Sequence, residues 1–86
     1  MASYKIQIQK TAEKELKSVP SAFLKQMVHK IYSLTSNPRP HGVQLLKGEE
    51  RYFRIRQGDY RIVYEVNDAE HLITIIKIGH RREVYK

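Results

Sequence analysis

From Arg51 to Ile78, polar and apolar residues alternate in three runs separated by two short turn signals. This period of two commits the second half of the chain to β-strands. In the first run Phe53 and Ile55 share one face, while Tyr52, Arg54 and Arg56 share the other. Gly58-Asp59 marks a tight turn, and Asn67-Asp68 separates the strands Tyr60 to Val66 and Leu72 to Ile78. Earlier in the chain, Tyr4, Ile6 and Ile8 alternate with Lys5, Gln7 and Gln9, which predicts an opening strand.

Between these strands the spacing becomes helical. Thr11 is placed to cap a helix carrying Ala12, Leu16 and Val19, and Pro20 ends it. Ser21 is placed to cap a second helix, whose stripe runs through Phe23, Leu24, Met27, Val28, Ile31 and Leu34. Pro38-Arg39-Pro40-His41-Gly42 then forces a loop, beneath which Leu45 and Leu46 are expected to tuck. The expected fold is α+β in the order β-α-α-β-β-β, an antiparallel sheet with an N-terminal helical hairpin packed on one face. With 86 residues, the chain is expected to form a single domain over 1–86.

Composition narrows the function. The absence of cysteine removes disulfides, thiol nucleophiles and cysteine zinc sites. His29, His41, His71 and His80 fall on separate elements without metal-ligand spacing, so neither a metal nor another cofactor is expected. No run of residues is long and apolar enough to span a membrane, and Met-Ala-Ser-Tyr-Lys-Ile lacks the apolar core of a secretory signal. A cytoplasmic location is expected. The net charge of +7 favours a polyanionic or acidic partner. Lysine supplies all six basic residues up to Ser36, whereas seven arginines and three lysines follow from Asn37. Guanidinium forks match phosphate bidentately, so the second half carries the candidate chemistry.

A two-residue turn at Gly58-Asp59 pairs Gln57 with Tyr60 and sets Arg56 opposite Arg61. Arg54, Arg56 and Arg61 then project from one face, with Val63 opposite Arg54 and Glu65 farther along. Like charges placed opposite each other cost stability, so the cluster suggests anion binding more than solvation of a sheet face. Downstream, His80-Arg81-Arg82-Glu83-Val84-Tyr85 adds guanidiniums, an imidazole and a phenol, which suit phosphate clamping and base stacking on single-stranded RNA.

Gly58-Asp59-Tyr60-Arg61-Ile62-Val63-Tyr64-Glu65-Val66 together with Ile78-Gly79-His80-Arg81-Arg82-Glu83-Val84-Tyr85 resembles the signature of the RelE/ParE toxin superfamily, and more narrowly RelE. The resemblance covers nearly the whole chain and implies a fold similar to microbial ribonucleases. It implies a ribosome-dependent endoribonuclease toxin, or mRNA interferase, of a type II toxin–antitoxin system, which cuts mRNA in the A site and inhibits translation. The implied partners are the ribosome and mRNA, and a cognate RelB-like antitoxin through which the complex binds operator DNA. No membrane partner is implied.

Residue by residue, the resemblance puts Arg61 on the transition-state phosphate, Arg81 near the leaving 5′-oxygen, and Tyr85 against the substrate. It implies RNA contacts from Lys47, Arg51, His80 and Arg82. Arg54 and Arg56 stand where the best-known RelE proteins carry lysines. At neutral pH roughly 10⁻⁵ or less of an arginine is able to accept a proton, so these two are read as electrostatic clamps. His80, Tyr85 and Glu83 are left as the groups able to move a proton. Two alternatives stay open: a ParE-like toxin that poisons DNA gyrase, and an RNA- or partner-binding module whose catalytic set has decayed.

Overall fold

The computed structural model describes residues 3–46 and 52–80. In chain order the elements are β1 (Lys5–Ile8), α1 (Lys10–Lys17), α2 (Ser21–Ser33), β2 (Gln44–Leu45), β3 (Tyr52–Gln57), β4 (Tyr60–Asn67) and β5 (Leu72–His80). The strands form one sheet in the order β1-β5-β4-β3-β2. The expected α+β class and the helical hairpin are present. The expectation of a wholly antiparallel sheet is corrected at one edge, where β1 runs parallel to β5 with Lys5 beside Leu72 and Ile8 beside Ile75. Among the described residues the expected four strands also become five, because Gln44 and Leu45 pair with Arg54 and Phe53. Leu45 is consequently exposed rather than tucked under the loop.

The helices begin differently from the expectation based on hydroxyl caps. Gln9 precedes α1 and its carbonyl accepts the Glu13 N–H at 2.8 Å, so Thr11 lies inside the helix. Pro20 is the N-cap of α2, accepting from the N–H groups of Phe23 and Leu24, and Ser21 is the first helical residue. A single proline thus closes one helix and opens the next. At the far end of α2, the Ser33 and Thr35 hydroxyls donate to the carbonyls of Lys30 and Tyr32, satisfying acceptors that the helix leaves open.

The core lies between the helices and one face of the sheet. Ala12, Val19, Met27, Ile31 and Leu34 meet Phe53, Ile55, Ile62, Tyr64, Val66, Ile73, Ile75 and Ile78. Burying a large aliphatic side chain contributes about 1.5–3 kcal/mol, so this layer holds the sheet without disulfides. Phe23 and Val28 belong to the helical stripe but remain about half exposed. No helix among the described residues is long and apolar enough to cross a membrane.

Two features position the functional side. The register between β4 and β5 shifts at Val63/Tyr64, where Tyr64 pairs with Ile75 but Val63 pairs with Lys77. Ile76 is the extra residue of this bulge, which reverses the side-chain parity of the rest of β5. The loop after α2 is also tied down. Arg39 donates to both carboxylate oxygens of Asp68, at 2.7 and 3.3 Å, and its guanidinium carbon lies 5.3 Å from the centre of the Phe53 ring. The buried Tyr64 hydroxyl donates to the Pro38 carbonyl at 2.8 Å.

Candidate active site

The hairpin of β3 and β4 sets the geometry. Its register pairs Arg54 with Val63, Arg56 with Arg61 and Gln57 with Tyr60, as the turn chemistry predicts. Gly58 has φ of +62° and Asp59 does not share the positive φ, the pattern of a type II′ turn that matches strand twist. Arg54, Arg56 and Arg61 therefore leave the sheet on the face away from the helices, since Ile55 and Ile62 occupy the core face.

The three guanidiniums differ in how they are held. Arg61 is only 7% exposed, although it carries a full charge. It donates to the Tyr60 carbonyl at 3.1 Å and the Gly58 carbonyl at 3.5 Å. Nε of Arg56 donates to the same Gly58 oxygen at 3.4 Å. Arg54 donates to the side-chain carbonyl of Gln44, so β2 orients it.

Beyond the Gln44/Arg54 pair, β2 ends, and among the described residues no strand lies beside residues 55–57 of β3 on that side. A cleft of about 550 Å³ opens there, lined by the three arginines, Gln44, Ile55 and Gly58. Lys30 of α2 closes it from the helix layer, and His41 and Gly42 close it from the tethered loop. Four cationic side chains and no carboxylate line this cleft among the described residues, so its electrostatics suit a phosphate whose charge grows during reaction.

His80 does not join this group. It pairs across the strands with Tyr60, the ring centres 5.7 Å apart and nearly perpendicular, and lines a hollow with Phe23 and Met27 on the helix side. The bulge at Ile76 is the cause, because unbroken alternation from Ile75 would have given His80 the arginine face. The Ile75-Ile76-Lys77-Ile78 break in alternation is the sequence signal for it. Lys47, Arg51, Arg81, Arg82 and Tyr85, also singled out from the sequence, lie outside the described residues, as does Glu83. Sequence reasoning did not single out Lys30, and it weighed His41 only as a loop residue without metal-ligand spacing. No helical or strand period connects either to the hairpin.

Relatives agree with this architecture. The family described as the ParE toxin of the type II toxin-antitoxin system, parDE, matches residues 6–85. The chain belongs to this toxin family. The Mycobacterium tuberculosis protein named toxin RelE is 32% identical over 84 residues, covering 96% of this chain and 87% of the relative. A RelE-RelB complex from Pyrococcus horikoshii contains a chain that superposes with a TM-score of 0.82 at 32% identity, covering 92% of this toxin-family chain and 96% of the other. The RelBE2 toxin-antitoxin complex of M. tuberculosis gives a TM-score of 0.81 at 26% identity, with 93% and 100% covered.

Proposed function

We propose that this member of the toxin family is a ribosome-dependent endoribonuclease that cuts mRNA in the A site. The 2′-oxygen of the RNA attacks the adjacent phosphorus and the bond to the 5′-oxygen breaks, giving a 2′,3′-cyclic phosphate and a 5′-hydroxyl. The observation that carries this reading is Arg61, a buried guanidinium fixed by two backbone carbonyls and opposite Arg56. A charge fixed before the reaction stabilises a developing phosphorane without reorganising, whereas a solubilising arginine has no need of such restraint. Arg54 and Arg56 act as clamps on the non-bridging and attacking oxygens. Arg81 follows Gly79, the cross-strand partner of Arg61, by two residues and stabilises the leaving 5′-oxygen. Tyr85 holds the nucleotide, and Lys47, Arg51 and Arg82 bind flanking RNA. The nucleophile belongs to the RNA itself, so orienting it in line with phosphorus supplies much of the acceleration.

A RelB-like antitoxin neutralises the chain in this reading, in keeping with the RelB partners in both complexes named above. The groove between β1 and α2, lined by Tyr4, Ile6, Ile8, Val28 and Tyr32, suits the apolar side of an antitoxin helix. The antitoxin's acidic residues would cover the arginines, and the complex would bind operator DNA through the antitoxin in the cytoplasm. Primer extension on translated messages after brief induction tests the activity. Breaks within codons, lost in Arg61→Ala, are the expected result. Gyrase-linked DNA breaks with intact messages would instead establish the ParE-like reading.

A further inference from the structure

Cleavage by a 2′-hydroxyl needs a group that takes its proton, and the arginines of the cleft offer donors only at neutral pH. As an ammonium, Lys30 offers donors only as well. His80 stands on the opposite face of the sheet. His41, by contrast, lines the arginine cleft. Among the described residues that do so, it is the one whose side-chain type exchanges protons near neutral pH.

We propose that His41 is the general base of this site, its imidazole accepting the proton of the attacking 2′-hydroxyl. The inference rests on the cleavage reading above and supplies the group that Arg54 and Arg56 cannot. In the step, a ring nitrogen takes the 2′-hydroxyl proton, the oxygen–phosphorus bond forms, and the bond from phosphorus to the 5′-oxygen breaks. The 5′-oxygen then gains a proton from the imidazolium or from water, and the imidazole returns to its neutral form.

A loop makes a poor catalytic platform unless something fixes it. This loop is fixed on both sides of His41. Upstream, the Pro38 carbonyl accepts from the Tyr64 hydroxyl, and Arg39 is forked onto Asp68 above the Phe53 ring. Downstream, the Val43 N–H donates to the Pro40 carbonyl at 3.1 Å, closing a turn around His41 and Gly42. Gly42 has φ of +90°, which only a residue without a side chain adopts readily. The imidazole itself is exposed, leaving room for a nucleotide against it. Among the described residues, the charged groups facing this cleft are Lys30 from α2, Arg54 and Arg56 from β3, and Arg61 from β4.

The test is single-turnover cleavage of ribosome-bound message across about pH 5 to 8 by purified wild-type, His41→Ala and His41→Gln proteins, each checked for folding by circular dichroism. Both variants are expected to lose roughly 10²-fold or more in rate, and to lose the rise in rate with pH that a base imparts. Added imidazole should restore part of the His41→Ala activity. An RNA with sulfur in place of the 5′-oxygen needs no proton on its leaving group, so the defect should persist on it; a defect cured by sulfur would make His41 an acid and overturn the assignment. Variants that keep the wild-type rate and pH profile would overturn His41 while leaving the cleavage reading intact. A wild-type protein that cuts no message would remove both.

Discussion

Arg56 and Arg61 face each other across the β3–β4 hairpin, and both donate to the carbonyl oxygen of Gly58. One acceptor therefore draws two like charges toward the same point at the turn. The arrangement places positive charge where an anion can neutralise it, and its electrostatic cost is offset when a phosphate arrives.

That relationship predicts opposite effects from the two residues on stability. Arg56→Ala should raise the unfolding midpoint at low salt, by a change of about 0.2–1 kcal/mol, and the gain should shrink as salt rises. Arg61→Ala should destabilise by about 1–2 kcal/mol, because its buried stem leaves a gap that alanine does not fill. Urea titrations at two ionic strengths separate these outcomes. In cleavage assays Arg61→Ala should lose roughly 10²- to 10³-fold. Arg61→Lys should recover only part of that, since an ammonium keeps the charge but lacks the planar fork that meets a phosphate bidentately.

Gly58→Ala isolates the backbone contribution. The position has φ of +62°, and the space around an added methyl is open, so the cost comes from the left-handed conformation alone. A loss of about 1 kcal/mol is expected, roughly that of placing a non-glycine residue there. If the turn relaxes to avoid that strain, the Gly58 carbonyl shifts under both arginines and cleavage falls more than stability does. Equal losses in the two assays would mean that the carbonyl does not position them.

The hairpin was legible in the sequence because two short-range rules determine it: side chains alternate, and a two-residue turn beginning with glycine permits one pairing. Arg54, Arg56 and Arg61 could be placed on one face for that reason alone. The parallel pairing of β1 with β5 was not legible, because it depends on where the helical hairpin returns the chain and no local pattern records that. His80 was displaced by a single extra residue, Ile76, and a bulge changes parity without changing composition. His41 and Lys30 reach the cleft only through tertiary packing, one tethered by Arg39 and Tyr64, the other carried on α2.

Stability should fall at both ends of the pH range, for different reasons. The hydrogen bonds from Arg39 and then Tyr4 hold the Asp68 carboxyl below its ordinary value. A depressed carboxylate contributes stability above the unfolded value of about 3.9, and that contribution disappears as pH falls through the folded value. Asp68→Asn should flatten the acid limb of a plot of unfolding midpoint against pH. It should also loosen the loop that carries His41.

On the alkaline side, burial pushes the Tyr64 phenol well above its ordinary value, and the hydrogen bond to Asp68 raises Tyr4. Unfolded tyrosines release protons near about pH 10, so the stability these groups contribute is complete below that pH and declines above it. Tyr64→Phe should weaken this alkaline decline. At neutral pH it should cost about 0.5–1.5 kcal/mol for the lost bond to Pro38. An unchanged alkaline slope would show that Tyr64 ionises freely in the folded protein.

Glu15 of α1 replaces a neighbouring strand for the distal part of β5. β1 pairs only as far as Ile75, and beyond it the Ile78 N–H donates to the Glu15 carboxylate at 3.0 Å. The same carboxylate lies 3.6 Å from Lys77, but both side chains are partly exposed, and such pairs contribute only about 0–1 kcal/mol. The two interactions can be separated. Glu15→Gln keeps an acceptor for Ile78 while removing the ion pair, so its cost should be small. Glu15→Ala removes both and leaves a partly buried N–H without its acceptor, at a cost of about 1–3 kcal/mol. Amide hydrogen exchange gives the sharper measurement: the Ile78 amide should exchange faster in Glu15→Ala and nearly as in wild type in Glu15→Gln. Because Ile78 pairs with Ile62 and Gly79 pairs with Arg61, loosening this segment should also reach the arginine cleft. Glu15→Ala should therefore reduce cleavage even though Glu15 lies outside the lining of that cleft, whereas fast exchange with full activity would confine its role to the sheet edge.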